Sequence, residues 1–184
     1  MKKIEIISDD AVYNGKFIDM KQTLYAVDGD IFSWEYATRK NKTKAVMIVA
    51  HNNGKLLLTS EYRVPIKGRE IGFPAGLVEE DEDISDAIVR EFKEETGMNI
   101  DKIHDISGEV YNSCGITDES IFIAFCECSG KISGKFLEKQ EDIKAFFVDK
   151  NDIIKLLNNK ENKFGAKTWL ILNMFSKYGW QYLK

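Results

Sequence analysis

The sequence predicts a protein of class α+β. Three observations carry that expectation: alternating, turn-punctuated strands fill the N-terminal region, one charge-rich helix interrupts further strands, and two helices close the chain. With 184 residues, 43% of them hydrophobic, the chain can bury one sizeable core and carry a small appended unit.

The elements follow in order. Residues 15–40 are expected as strands. "YAVDGDIFSWEY" holds Asp28-Gly29, a favoured two-residue hairpin turn, after which Phe32, Trp34 and Tyr36 alternate with Ile31, Ser33 and Glu35. "KAVMIVAHNNGKLLLTSEYRV" is a second hairpin with Asn53-Gly54 at its turn. Its first strand is apolar throughout, as a strand buried on both faces would be. Residues 83–97 form a helix, with Asp83 as N-cap and Gly97 as the C-terminal stop. Strands are expected near 105–112 and 119–127, then the turn-rich "GKISGK", then a last strand, "IKAFFVD". Helices over 151–158 and 165–177 end the chain. A boundary at polar "RKNKTK" divides an N-terminal β-unit, 1–42, from an α/β body, 43–184.

Several function classes are set aside. No stretch approaches the roughly 18 apolar residues of a membrane span. "MKKIEIISDD" has lysines but no apolar run, so a secretory signal is not expected. Net charge is −4, with 26 basic and 30 acidic residues and no long basic run, so nucleic acid is not an expected partner. The three cysteines, Cys114, Cys126 and Cys128, make no disulfide framework and fit reduced thiols in a cytoplasmic protein. Cys126 and Cys128 are expected on one strand face. With His51 and His104 as the only histidines, a His-based zinc or triad site is not expected.

The charge is concentrated. Nine of the seventeen residues from Glu79 to Glu95 are acidic, offset by Arg90 and Lys93 alone. A solvated helix face is the bland explanation, and geometry argues against it. At about 100° per residue, Ile84, Ala87, Ile88, Glu94 and Glu95 all fall within about 60° of Glu91. Glu91 and Glu95 thus continue the apolar stripe that must pack on the core. Two desolvated carboxylates one turn apart need a proton, a cationic partner or a metal. A hard divalent cation fits best, because Mg²⁺ takes oxygen ligands and shares its shell with substrate phosphates.

The same segment reads "G-x5-E-x7-R-E-F-x-E-E-x-G-M", met by Gly76, Glu82, Arg90, Glu91, Phe92, Glu94, Glu95, Gly97 and Met98. It resembles the Nudix box, the signature of the Nudix hydrolases, with no signature position missing. The resemblance implies an α/β/α sandwich, a mixed sheet between helices. It also implies Mg²⁺- or Mn²⁺-dependent hydrolysis of a diphosphate linked to a further group. Glu91 and Glu95 would be the principal metal ligands, assisted by Glu94 and the Ala75 carbonyl. Arg90 would orient these carboxylates, with Glu82 near it.

A narrower resemblance extends over about Trp34 to Phe175. "EYRVPIKGREIGFPAGLVEE" and "SWEYATR" are similar to segments of the ADP-ribose pyrophosphatases. Carried over, Trp34 would stack the base, Glu35 would hydrogen-bond its edge, and Arg39 and Arg63 would meet phosphates. "FLEKQEDIKAFFV" resembles their catalytic loop, so Glu141 would be the general base, with Glu138 in reserve. Homodimerisation through the N-terminal unit is implied as well. Two positions depart from the pattern: Gly72 stands where an acidic residue precedes "FPAG", with Glu70 two residues earlier, and Cys114 stands where the subfamily has proline.

The expected activity is hydrolysis of ADP-ribose or a related nucleoside diphosphate sugar to a nucleoside monophosphate and a sugar phosphate. GDP-mannose or another nucleoside diphosphate derivative is the alternative substrate. A Nudix module that senses a nucleotide without hydrolysing it is the alternative class, and a purely structural domain is a further one.

Overall fold

Both predicted hairpin turns form, because Asp28 and Asn53 accept the left-handed backbone that a two-residue turn requires. Their φ angles are 52° and 48°, followed by 98° at Gly29 and 77° at Gly54. The computed structural model describes residues 1–40, 44–137, 139 and 141–182, the last by its backbone alone. The chain divides into two compact units, Met1–Lys44 with Glu109–Ile121, and Ala45–Gly108 with Phe122–Lys184. The expected boundary at residue 42 lies outside the described residues.

The first unit is built on an antiparallel meander of β1 (Ile4–Asn14), β2 (Ile18–Val27) and β3 (Asp30–Arg39). Strand β1 was not expected from the sequence. Register shifts between Ile6 and Ser8 and between Ala11 and Tyr13 break its two-residue alternation. Asp9 ties the three strands together: it accepts from Lys21 Nζ at 2.6 Å, Thr23 Oγ1 at 2.6 Å and Tyr36 OH at 3.0 Å. The later segment adds β9 (Val110–Tyr111) and the start of β10 (Ser120–Ser129). The Ala37 N–H donates to the Ile116 carbonyl at 2.8 Å, and the Thr38 hydroxyl to Asp118 at 2.8 Å. Much apolar surface on the meander stays open, with Ile6, Phe17, Ile31 and Phe32 all exposed.

The second unit carries the mixed sheet. Its further strands are β4 (Ala45–Asn52), β5 (Lys55–Arg63), β6 (Gly68–Gly72), β7 (Ala75–Leu77), β8 (Asn99–Ile106), β11 (Ile143–Val148) and β12 (Lys163–Phe164). The order is β12-β6-β5-β4-β10-β8, with β11 on β5 and β7 on β4. Strand β12 runs parallel to β6, and β6 antiparallel to β5. The strand expected near 105–112 is two elements, β8 starting earlier and short β9, and "IKAFFVD" is followed by β12 rather than ending the strands. Strands β6 and β7 flank Phe73-Pro74, where no strand was expected.

Three helices complete this unit: α1 (Ile84–Thr96), α2 (Lys150–Asn158) and α3 (Ala166–Tyr178). The Ser85 N–H donates to the Asp83 carboxylate at 2.8 Å, and Gly97 closes α1 at φ 72°. Ala87, Ile88 and Phe92 of α1 pack on Val46, Ile48 and Ala50 of β4, with Ala124, Cys126 and Cys128 of β10. The two cysteines do share one buried face. Alternation sends Met47 and Val49 to the other face of β4, and these are buried too, so the strand is covered on both sides. Helices α2 and α3 pack on each other, and α2 reaches β11. Among the described residues, no helix is long and apolar enough to cross a membrane.

Candidate active site

Helix α1 and strand β7 build the centre of the site. The apolar stripe that buries Ile88 and Phe92 carries Glu95 inside with it, leaving that residue 7% exposed. Glu91 sits one turn earlier, half-buried. Gly76 on β7 lets the two elements approach: a Cβ there would collide with the Glu91 carboxylate. The neighbouring Ala75 N–H donates to Glu95 Oε2 at 3.3 Å.

Burial pushes the Glu95 carboxyl up to about 9, against the Ala75 hydrogen bond that favours its charge. Burial likewise raises Glu91, opposed by Arg90. Glu61 on β5 is raised by burial as well, with Arg63 opposing. Glu141 adds to the repulsion on all three. Glu61, Glu91 and Glu95 therefore share one field that disfavours charge on each, and Glu141 contributes to it.

Arg90 is the local counter-charge. Its Nε and Nη2 each donate to Glu82 at 2.7 Å, and Nη1 donates to Glu91 at 2.9 Å and to Glu94 at 3.1 Å. Its Nη2 also donates to the Leu77 carbonyl at 2.9 Å. The pair holds the Glu82 carboxyl down to about 2. Arg90 thus spans helix and β7 strand while leaving Glu95 without a cation of its own among these contacts. A hard divalent ion suits that gap: the donors are carboxylate oxygens of one helix, and burial of Glu91 and Glu95 leaves them short of compensating charge.

Arg63 lies at the end of β5 and pairs with Glu61 at 2.9 Å and Glu70 at 3.2 Å. Glu70, two residues before Gly72, is thereby engaged with Arg63. Glu138 lies outside the described residues. Glu61 was missed in the sequence. It stands in the polar end of "LLLTSEYR", where a charged residue carries no signal of its own.

In the first unit, Trp34 lies on β3, 51% exposed, with its Nε1 donating to the Gly115 carbonyl at 3.2 Å. It lines an open cavity of about 520 Å³ with Tyr25, Tyr36, Tyr111, Cys114 and Asp118. Glu35 is exposed, and strand alternation turns it to the opposite face of β3, so it does not join this cavity. Arg39 pairs with Glu119 at 3.3 Å beside a smaller cavity of about 150 Å³ that also takes in Lys44 and Glu109. Its Nε is buried without a hydrogen-bond partner among the described residues.

The two histidines also come together. His104 Nε2 lies 2.7 Å, and His51 Nε2 3.7 Å, from the same oxygen of Glu127.

Comparison with known proteins is consistent with this geometry. Residues 41–170 match the NUDIX domain family. The chain is 27% identical to an ADP-ribose pyrophosphatase of Bacillus subtilis (strain 168), over 91% of each chain. It is 32% identical to an ADP-ribose pyrophosphatase of Methanocaldococcus jannaschii, over 64% of this chain and 68% of that one. A crystal structure of an ADP compounds hydrolase superposes with a TM-score of 0.78 at 20% identity, over 96% of this chain and 94% of that one.

Proposed function

We propose that this chain, which belongs to the NUDIX domain family, hydrolyses the pyrophosphate bond of ADP-ribose to AMP and ribose 5-phosphate. The observation that carries the reading is the buried Glu95 carboxylate beside Glu91, Glu61 and Glu141, with the Arg90 charge directed mainly to Glu82. The curated relatives that bear the ADP-ribose name supply the substrate.

Divalent-metal dependence is general in this family, and Mg²⁺ or Mn²⁺ is the ion assigned here. Glu91, Glu94, Glu95 and the Ala75 carbonyl would hold it. When bound, such an ion neutralises pyrophosphate oxygens and lowers the pKa of a coordinated water. Arg90 fixes Glu91 and Glu94 in place, and Glu82 fixes Arg90. Glu141 takes the proton of the attacking water, with Glu138 as the reserve base. One P–O bond forms to that water and the bridging P–O bond breaks, so the two products each leave as a monophosphate.

Trp34 stacks the base, a role suited to an aromatic face open to solvent. Arg39 and Arg63 present planar forks to phosphate oxygens. Glu35 hydrogen-bonds the base edge in this scheme only from the far face of β3, so its partner would come from a second copy. A homodimer joined through the N-terminal sheet supplies that copy and covers part of its exposed apolar surface, Ile31 on the Glu35 face included. The free thiols Cys114, Cys126 and Cys128 suit a cytoplasmic location.

The test is Mg²⁺-dependent turnover of ADP-ribose beside GDP-mannose, ADP-glucose, NADH and nucleoside triphosphates, with Glu95→Gln as control. Preference for ADP-ribose, abolished in the control, is the expected result. Preference for another compound would discard the base-site assignments while keeping the glutamate site. No turnover of any compound with metal bound would make the protein a nucleotide sensor instead.

A further inference from the structure

Strands β4, β10 and β8 are consecutive neighbours in the sheet, and each contributes one side chain to a single point. His51 comes from β4, Glu127 from β10 and His104 from β8. Alternation along β10 turns Cys126 and Cys128 into the core under α1, so Glu127 points to the other face. In β8 the register steps from Asp105 opposite Phe125 to Ile103 opposite Cys126. His104 is the extra residue of that bulge, and bulges re-aim side chains.

One Glu127 oxygen stands 2.7 Å from His104 Nε2 and 3.7 Å from His51 Nε2. Three ligand atoms, one from each residue, all lie within 4.8 Å of one another. The 2.7 Å contact is a hydrogen bond, whereas 3.7 Å is too long for one. His51 meets the same oxygen at ion-pair distance, so the three side chains converge on one point. An ion about 2.0–2.2 Å from each donor would sit among atoms roughly 3.3 Å apart, between the separations seen. The imidazoles are shielded, with side chains 14% and 13% exposed, while Glu127 is 46% exposed. Trp180 covers the cluster, its ring 4.0 Å from that of His51 and 6.1 Å from that of His104. Solvent therefore reaches the cluster on the Glu127 side.

We propose that His51, His104 and Glu127 form a second metal site, distinct from the glutamate cluster of α1, that takes a zinc-like transition-metal ion. Two imidazole nitrogens and one carboxylate select Zn²⁺, Co²⁺, Ni²⁺ or Cu²⁺ over Mg²⁺, which prefers an all-oxygen shell. The site would clamp three neighbouring strands and seat the C-terminal turn that carries Trp180. Binding linked to folding in this way stabilises the native state.

The experiment uses untagged full-length protein, stripped with chelator and returned to excess Mg²⁺ so that the glutamate cluster is occupied. Co²⁺ is then added, and its visible absorption and the quenching of tryptophan fluorescence are followed. Wild type and Glu95→Gln are expected to give the same absorption at a single equivalent, with the melting temperature raised. His51→Asn, His104→Gln and Glu127→Gln are each expected to weaken binding at least tenfold. Glu127 is the most exposed of the three, so its variant tests the site even if a histidine variant folds poorly. Absence of Co²⁺ uptake by wild type would overturn the proposal. So would loss of the signal in Glu95→Gln with retention in Glu127→Gln.

Discussion

Arg90 takes both carboxylate oxygens of Glu82 in a two-pronged grip, through Nε and Nη2 at 2.7 Å each. The remaining nitrogen, Nη1, is thereby aimed at Glu91 and Glu94. A lysine has the charge but not the fork. Arg90→Lys should lower kcat by about 10–100-fold, the usual cost of losing a residue that orients ligands. Breaking this largely buried pair should also cost about 2–3 kcal/mol, somewhat below the figure for fully buried pairs. Glu82→Gln should share the stability loss with a smaller effect on kcat. Thermal melts beside steady-state rates separate the two effects.

Gly76→Ala tests the close approach of β7 to α1. The backbone at Gly76 is not left-handed, so alanine is conformationally acceptable. Its methyl group would meet the Glu91 carboxylate, the movable end of a side chain. The fold should therefore persist while Glu91 is displaced. Activity should fall on the order of 10²-fold, as misplacement of about 1 Å commonly causes. An unchanged rate would mean that Glu91 does not need its present position.

Trp34→Ala addresses base recognition. Stacking on an aromatic ring is worth about 1–3 kcal/mol per base. A group that binds substrate and transition state alike changes KM and leaves kcat alone. The expected result is KM for ADP-ribose raised on the order of tenfold, since about 1.4 kcal/mol is a factor of ten. A fall in kcat at constant KM would assign Trp34 elsewhere.

Asp9 makes the first unit sensitive to acid. Hydrogen bonds from Lys21 and Thr23 hold its carboxyl down to about 2, from an ordinary 3.8. A folded value below the unfolded one gives stability that is full above about pH 4 and is lost as pH falls through about 2. The Asp9 side chain is 35% exposed, so solvent screening cuts its worth to about 1 kcal/mol. Asp9→Asn should then melt about 2–4 °C lower at neutral pH. The gap should close toward pH 2. Differential melts of the wild type and variant across that window check it.

Local chemistry made much of this protein legible. Asp28-Gly29 and Asn53-Gly54 announced their turns because few dipeptides adopt left-handed backbone so readily. Helix α1 was bounded by its caps, and the stripe through Ile84, Ile88, Glu91 and Glu95 followed from a fixed helical period. Strand β1 was not legible, since its bulges destroy the alternation by which strands are recognised. Short strands such as β7 and β12 carry too few residues for any period to register. Glu61 looked like an ordinary charged residue at a strand end. Only pairing of β5 with β11 and β6 sets it in the field of Glu70 and Glu141.

By itself the sequence determined which residues belong to the helix face that carries the carboxylates, and the turns that start each hairpin. Those properties depend on neighbours a few positions away. The tertiary structure alone decided how deeply Glu95 is buried, which Arg90 nitrogen meets which carboxylate, and that Glu35 turns away from Trp34. It alone brought His51, His104 and Glu127 to one point. Strand order and bulges set these relationships, and both arise from packing between segments far apart in the chain, where local periodicity carries no information.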